Sequence, residues 1–175
     1  MMSLAGLSYL SSIWLQSVTG RDPLAAAVLG IPMAIAVFVF SMTGSAVGRR
    51  LGVRWAFASA LAVAAVGNLV LLGVGVDGGV GWYIAGSAIA GIGYGVMFTL
   101  VSEVAVASVP PERAGSAVGI SETSFELGNA LGLALLGSLA ALVFRSGGDF
   151  APTLGETIQR AGSDTAVITA ARESF

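Results

Sequence analysis

Residues 22–47 read DPLAAAVLGIPMAIAVFVFSMTGSAV, and from Pro23 to Val47 no charged side chain interrupts the run. At a rise of ~1.5 Å per residue, a helix of this length crosses the ~30 Å hydrocarbon core of a bilayer. Asp22 stands where a side chain can cap free backbone N–H groups, and Pro23 stands where a first helical position tolerates a missing one. Pro32 is expected to kink the helix, because it removes one rung of the hydrogen-bond ladder. Comparable apolar stretches lie to either side, at 4–18, 55–76, 80–107 and 114–144. The first is short of a full crossing and reads as a helix cut at its start. Asp77-Gly78-Gly79 is expected to turn the chain back after the third span, and Pro110-Pro111 ends the fourth because neither ring nitrogen can donate. The expected fold is an all-α integral membrane protein, a bundle of about five transmembrane helices at 1–144.

Residues 145–175 have a different character. They carry charges and Gly147-Gly148, and their two amphipathic stretches, 154–161 and 165–171, are too short to span a bilayer. They are expected to form a polar loop or tail with short amphipathic helix outside the membrane. Over the whole chain 55% of residues are hydrophobic and 10% charged, against roughly 25% charged in a soluble domain. The mean hydropathy is +0.89. The absence of cysteine and histidine excludes disulfides, thiol nucleophiles and Cys/His metal sites, so no metal or cofactor is expected. Net charge is −2 and the arginines are dispersed, which excludes a nucleic-acid partner. The N-terminus lacks the basic segment and cleavage site of a secretory signal and reads as membrane helix. Arg49, Arg50, Arg54 and Arg113 fall after the second and fourth spans, while Arg21 alone lies in the short loops opposite. The excess of positive charge makes the first set cytoplasmic and the tail exterior.

Chemistry is concentrated at GISETSFELGN, residues 119–129. Glu122 and Glu126 are one helical turn apart, and Asn129 continues the same face. An ionised carboxylate in the hydrocarbon costs at least ~2.5 kcal/mol on insertion scales, so such acids face protein or a water-filled cavity and tend to hold a proton. Two of them on one face can exchange a proton for a cationic substrate. The alternative is structural: hydrogen bonds to hydroxyls on neighbouring helices, or simple hydration near the cytoplasmic end. Glu103 lies closer to the interface, where the structural reading is favoured. Trp14 and Tyr94 serve either as interfacial anchors or as walls of a drug-sized cavity. Small residues, among them Gly91, Gly95, Gly128 and Gly132, recur at spacings of four and mark faces where helix backbones approach closely. GIGYG at 91–95 looks like a nucleotide loop only superficially, since no strand precedes it.

The string PPERAGSAVG at 110–119, followed by SETSFELGNALGLALLGSL at 121–139, resembles the stretch joining the twelfth and thirteenth helices of fourteen-span drug:proton antiporters of the major facilitator superfamily, the QacA/EmrB type. YLSSIWLQSVTGRDPL at 9–24 is similar to the end of that family's ninth helix and the following turn, and SAVGRRLGVRW at 45–55 to its arginine-rich cytoplasmic gating loop, which holds Arg49, Arg50 and Arg54 here. The resemblance implies a partial C-terminal half of a major facilitator fold, with the five spans standing for helices nine to thirteen. It implies proton and cation handling at Glu122 and Glu126. Where some relatives carry a further acid just before the first, this chain has Ser121, and the loop's usual acid is replaced by Arg49. The remaining helices of such a transporter lie outside these residues, so the chain reads as a fragment or truncated product.

The expected function is therefore that of a C-terminal part of a proton-coupled multidrug efflux transporter in the cell membrane, not an enzyme. It would act on hydrophobic or cationic small molecules and protons by alternating access, which needs two halves; alone, the chain is expected to be inactive without the missing half. The alternative is a small structural or accessory protein that binds another membrane protein through its GxxxG faces.

Overall fold

The computed structural model describes residues 1–74, 79–146, 154–161 and 165–173, and the described secondary structure is helical. Helix α1 spans Met2–Ile13 and runs directly into a π-helical turn, Trp14–Val18. The rod ends where the Thr19 hydroxyl donates to the Leu15 carbonyl at 2.6 Å and Gly20 takes a φ of 66°. Helix α2, Pro23–Leu51, starts with the Ala25 N–H donating to Asp22 Oδ1 at 2.6 Å and continues through Pro32. Gly52 alone links it to α3, Val53–Leu71; its φ of 78° is one that a residue with a Cβ adopts only under strain. Helix α4 is Val80–Ala107. A short 3-10 turn, Pro111–Arg113, leads into α5, Ala114–Ser146. Two short helices follow, α6 at Leu154–Ala161 and α7 at Thr165–Glu173, with Glu156 and Arg160 ion-paired one turn apart on α6.

Among the described residues, four helical segments are long and apolar enough to cross a membrane: Pro23–Leu51, Val53–Leu71, Val80–Ala107 and Pro111–Ser146. The N-terminal rod, expected as a fifth span, is shorter and is not among them. The third span was expected over 55–76, but α3 starts at Val53 and ends at Leu71. Leu72, Gly73 and Val74 then bond to carbonyls three residues back, so the apolar sequence outlasts the α-helix. Of the expected Asp77-Gly78-Gly79 turn, only Gly79 falls among the described residues.

The chain forms two compact units, one of Met1–Ala26 with Phe125–Phe175, the other of Ala27–Ser124. In the second, α4 is the packing centre: 44% of its apolar window is buried, against 6% in α2. Its glycines divide between two faces. A Cβ on Gly91 would lie 2.8 Å from the Met33 carbonyl oxygen, and one on Gly95 2.5 Å from that of Val37, both on α2. On the other face a Cβ on Gly93 would collide with the Ala60 carbonyl oxygen of α3, and one on Gly86 would meet Leu71 at 2.8 Å. Ala56, Ala60, Val96 and Leu100 form the buried cluster, with Phe40, Val47, Phe57 and Met97 packed around it. Lipid is as apolar as these side chains, so close backbone packing rather than water exclusion holds such helices together. The outward surface is apolar instead: Phe38, Met42, Trp55, Leu72 and Ile120 are each more than two-thirds exposed. On a soluble protein this would be an aggregating surface; against acyl chains it is the solvated one.

In the first unit α1 packs on the C-terminal part of α5. Gly6 faces Leu136 so closely that any side chain there would overlap it, and a Cβ on Gly137 would touch the Tyr9 ring at 3.4 Å. Leu15 and Phe144 are almost completely buried.

Candidate functional site

Helix α5 begins behind Pro110, whose extended backbone (ψ 151°) redirects the chain, and no proline interrupts it after Ala114. Glu122 and Glu126 lie on this helix and are exposed, while Asn129 is half-buried. Helical spacing alone sets the two carboxylates one turn apart, with Asn129 a further turn along the same face. The hydroxyls around them are used within the helix: Thr123 donates to the Gly119 carbonyl and Ser124 to that of Ile120, each at 2.8 Å. Among the described residues no donor engages either carboxylate. The two acids and Asn129 form a polar stripe on an otherwise apolar span.

Glu103 sits differently. It lies near the C-terminal end of α4 and accepts a hydrogen bond from Ser45 Oγ of α2. One turn earlier Thr99 Oγ1 donates to the Ser41 carbonyl at 2.6 Å, and Gly44 makes room, since a Cβ there would lie 2.7 Å from the Thr99 Cβ. Two polar ties therefore bind α4 to α2 at successive turns. Tyr94 receives a hydrogen bond at its hydroxyl from Asn68 Nδ2 of α3, at 3.1 Å, with both side chains half-buried. Trp14 is half-buried at the start of the π-helical turn. Arg49 and Arg50 are exposed in the last turn of α2 and Arg54 in the first turn of α3.

The glycines named with these residues are all in close contact. Gly91 and Gly95 lie against α2, as above, and Gly128 and Gly132 lie against the start of α1: a Cβ on Gly132 would sit 2.5 Å from the Met2 carbonyl oxygen, and one on Gly128 3.2 Å from the Met1 Cβ. Four residues of these bonds were not singled out from the sequence: Ser41, Ser45, Asn68 and Thr99. Asn68 had a usable signal, a carboxamide in the middle of an apolar span, where a polar group without a partner is expensive. No group of His, Cys, Asp or Glu that could hold a metal ion occurs among the described residues.

Several long apolar helices packed through glycine are the marks of a polytopic membrane protein. The match to the Major Facilitator Superfamily covers residues 1–147, and the chain belongs to that family, a family of transporters rather than enzymes. The chain is 31% identical over 148 residues to the multidrug efflux pump LfrA of Mycolicibacterium smegmatis, covering 85% of this chain and 29% of that protein. It is 34% identical over 141 residues to a probable actinorhodin transporter of Streptomyces coelicolor, covering 78% and 24%. It is also 31% identical over 137 residues to the multidrug resistance protein Stp of Mycobacterium tuberculosis, covering 78% and 25%. The chain thus spans about a quarter of the length of these curated relatives. No solved structure matches it.

Proposed function

We propose that this chain is a C-terminal part of a proton-coupled multidrug efflux transporter of the fourteen-span kind, and that Glu122 and Glu126 couple proton entry to export of a hydrophobic or cationic compound. The observation that carries the reading is the placement of both acids one turn apart on an apolar span of a major facilitator chain similar to named efflux pumps. Asn129 extends that stripe with a neutral donor and acceptor suited to orienting a substrate or water. Alternating access requires the complementary helices, so the chain by itself is expected to move nothing. The arginine-bearing loops face the cytoplasm and residues 145–175 the exterior of the cell membrane.

An accessory protein docking through GxxxG faces needs those faces open. Gly128 and Gly132 already lie against Met1 and Met2, and Gly91 and Gly95 against α2, which weighs for a packed transporter segment.

The test is dye efflux driven by an imposed proton gradient in vesicles that hold this chain together with the complementary helices. Efflux that disappears in Glu122→Gln and Glu126→Gln supports the reading. Efflux undiminished in both variants, or full efflux from the chain alone, overturns it.

A further inference from the structure

Outside the acid stripe, the most concentrated charge on the molecule lies where α2 meets α3. Arg49 and Arg50 occupy the last turn of one helix and Arg54 the first turn of the next, with Gly52 alone between the helices. All three side chains are exposed, and no ion pair among the described residues engages them. Glu103, on the neighbouring helix, is occupied by Ser45, one turn before Arg49. The N-terminus of α3 adds partial positive charge at the same point, since no side chain caps it.

The residues between and beside these arginines are apolar and also exposed: Leu51 at 51%, Val53 at 48% and Trp55 at 68%. A soluble acidic partner would satisfy the charges and leave these side chains against water. An amphipathic molecule with a phosphate at its head and acyl chains behind it satisfies both at once. Tryptophan at the end of a span prefers the headgroup level, which places the guanidinium groups at the depth of lipid phosphates. Arginine engages phosphate through paired parallel N–H donors, so binding here would exceed general attraction to a charged surface.

We propose that Arg49, Arg50 and Arg54, gathered at the Gly52 joint beside exposed Trp55, hold the phosphate headgroup of an anionic phospholipid. The site is independent of Glu122 and Glu126 and stands whether or not those acids couple protons.

The experiment is native mass spectrometry of the whole chain, released from mild detergent containing equal amounts of phosphatidylglycerol and phosphatidylcholine. The expected result is several-fold enrichment of phosphatidylglycerol, falling to parity when all three arginines become glutamine and to an intermediate value when all three become lysine, which keeps the charge but not the paired donors. Arg21→Gln, at a different loop, should leave the enrichment unchanged. If the triple glutamine variant does not elute as a folded species, Arg50→Gln and Arg54→Gln are measured singly, and each should lower the enrichment. Equal binding of the two lipids, or enrichment unchanged in every variant, overturns the proposal. So does full displacement of phosphatidylglycerol by millimolar inorganic phosphate or by polyglutamate, which would assign the site to a free anion or an acidic protein.

Discussion

Helices α4 and α5 are built from similar material, long apolar runs punctuated by glycine and glutamate, yet they use it in opposite ways. In α4 the glycines lie against α2 and α3, and its one acid is tied to Ser45. In α5 the charged part stands open: Gly115 and Gly119 have nothing within 4 Å of a built Cβ, and Glu122 and Glu126 are exposed. A glycine or an acid in a membrane helix therefore carries no fixed meaning. What it touches separates the packed residues of α4 from the exposed ones of α5.

The sharpest break of that comparison is functional. Glu122→Gln and Glu126→Gln are expected to abolish proton-driven efflux in the complemented transporter while shifting thermal stability by no more than about 0.5 kcal/mol, the range for exposed substitutions. A large loss of stability in either variant, read by thermal unfolding in detergent, would move these acids into the scaffold class with Glu103.

The converse change falls on α4. Gly93→Val is expected to cost about 1–3 kcal/mol, because the added carbons meet the Ala60 carbonyl oxygen and the Ala64 nitrogen, which are backbone atoms that cannot rotate away. The expected readout is a lowered unfolding midpoint and a lower yield of folded chain. A neutral result would mean that α3 and α4 separate more easily than their packing indicates.

The sequence makes the helices legible because lipid imposes a single rule, an uncharged run of sufficient length, and 23–47 meets it as plainly as α2 does in the structure. Pro110-Pro111 is equally direct, since proline has no N–H to give. The end of α3 is not legible in the same way. Hydropathy continues past Leu71, but Gly73 sits in a turn bonded three residues back, a backbone property that apolar content does not encode. Partnerships are hidden for a further reason: Ser45 and Glu103 are 58 residues apart, and Asn68 and Tyr94 26 apart, so each pairing depends on the register of two helices. Spacing of the kind that places Glu122, Glu126 and Asn129 on one face is local and can be read directly, whereas α4 is apolar all round and its sequence does not say which glycines meet which neighbour.

A smaller effect probes the tie itself. In a double-mutant cycle on Ser45→Ala and Glu103→Gln, the coupling is expected to be ~0.6 kcal/mol, the average for hydrogen bonds between membrane helices. A coupling near zero would show that α2 and α4 are held by glycine packing and the Thr99–Ser41 bond alone.

The last expected effect is at Gly119, and it bears on why α5 is open. A Cβ there meets nothing within 4 Å, so Gly119→Ala introduces no clash and gains up to ~1 kcal/mol of helix propensity, less in a bilayer where the backbone is already committed to helix. The isolated chain should therefore unfold at the same temperature or slightly higher. Repeating the substitution in the complemented transporter turns the small number into a discriminating one. If the complementary helices pack on this stretch, the methyl group meets a neighbour, and Gly119→Ala changes from neutral to destabilising, as at Gly93. If Gly119→Ala stays neutral in the assembly, the surface around Glu122 remains uncovered there too. The acids are then reached through water or lipid rather than sealed between helices.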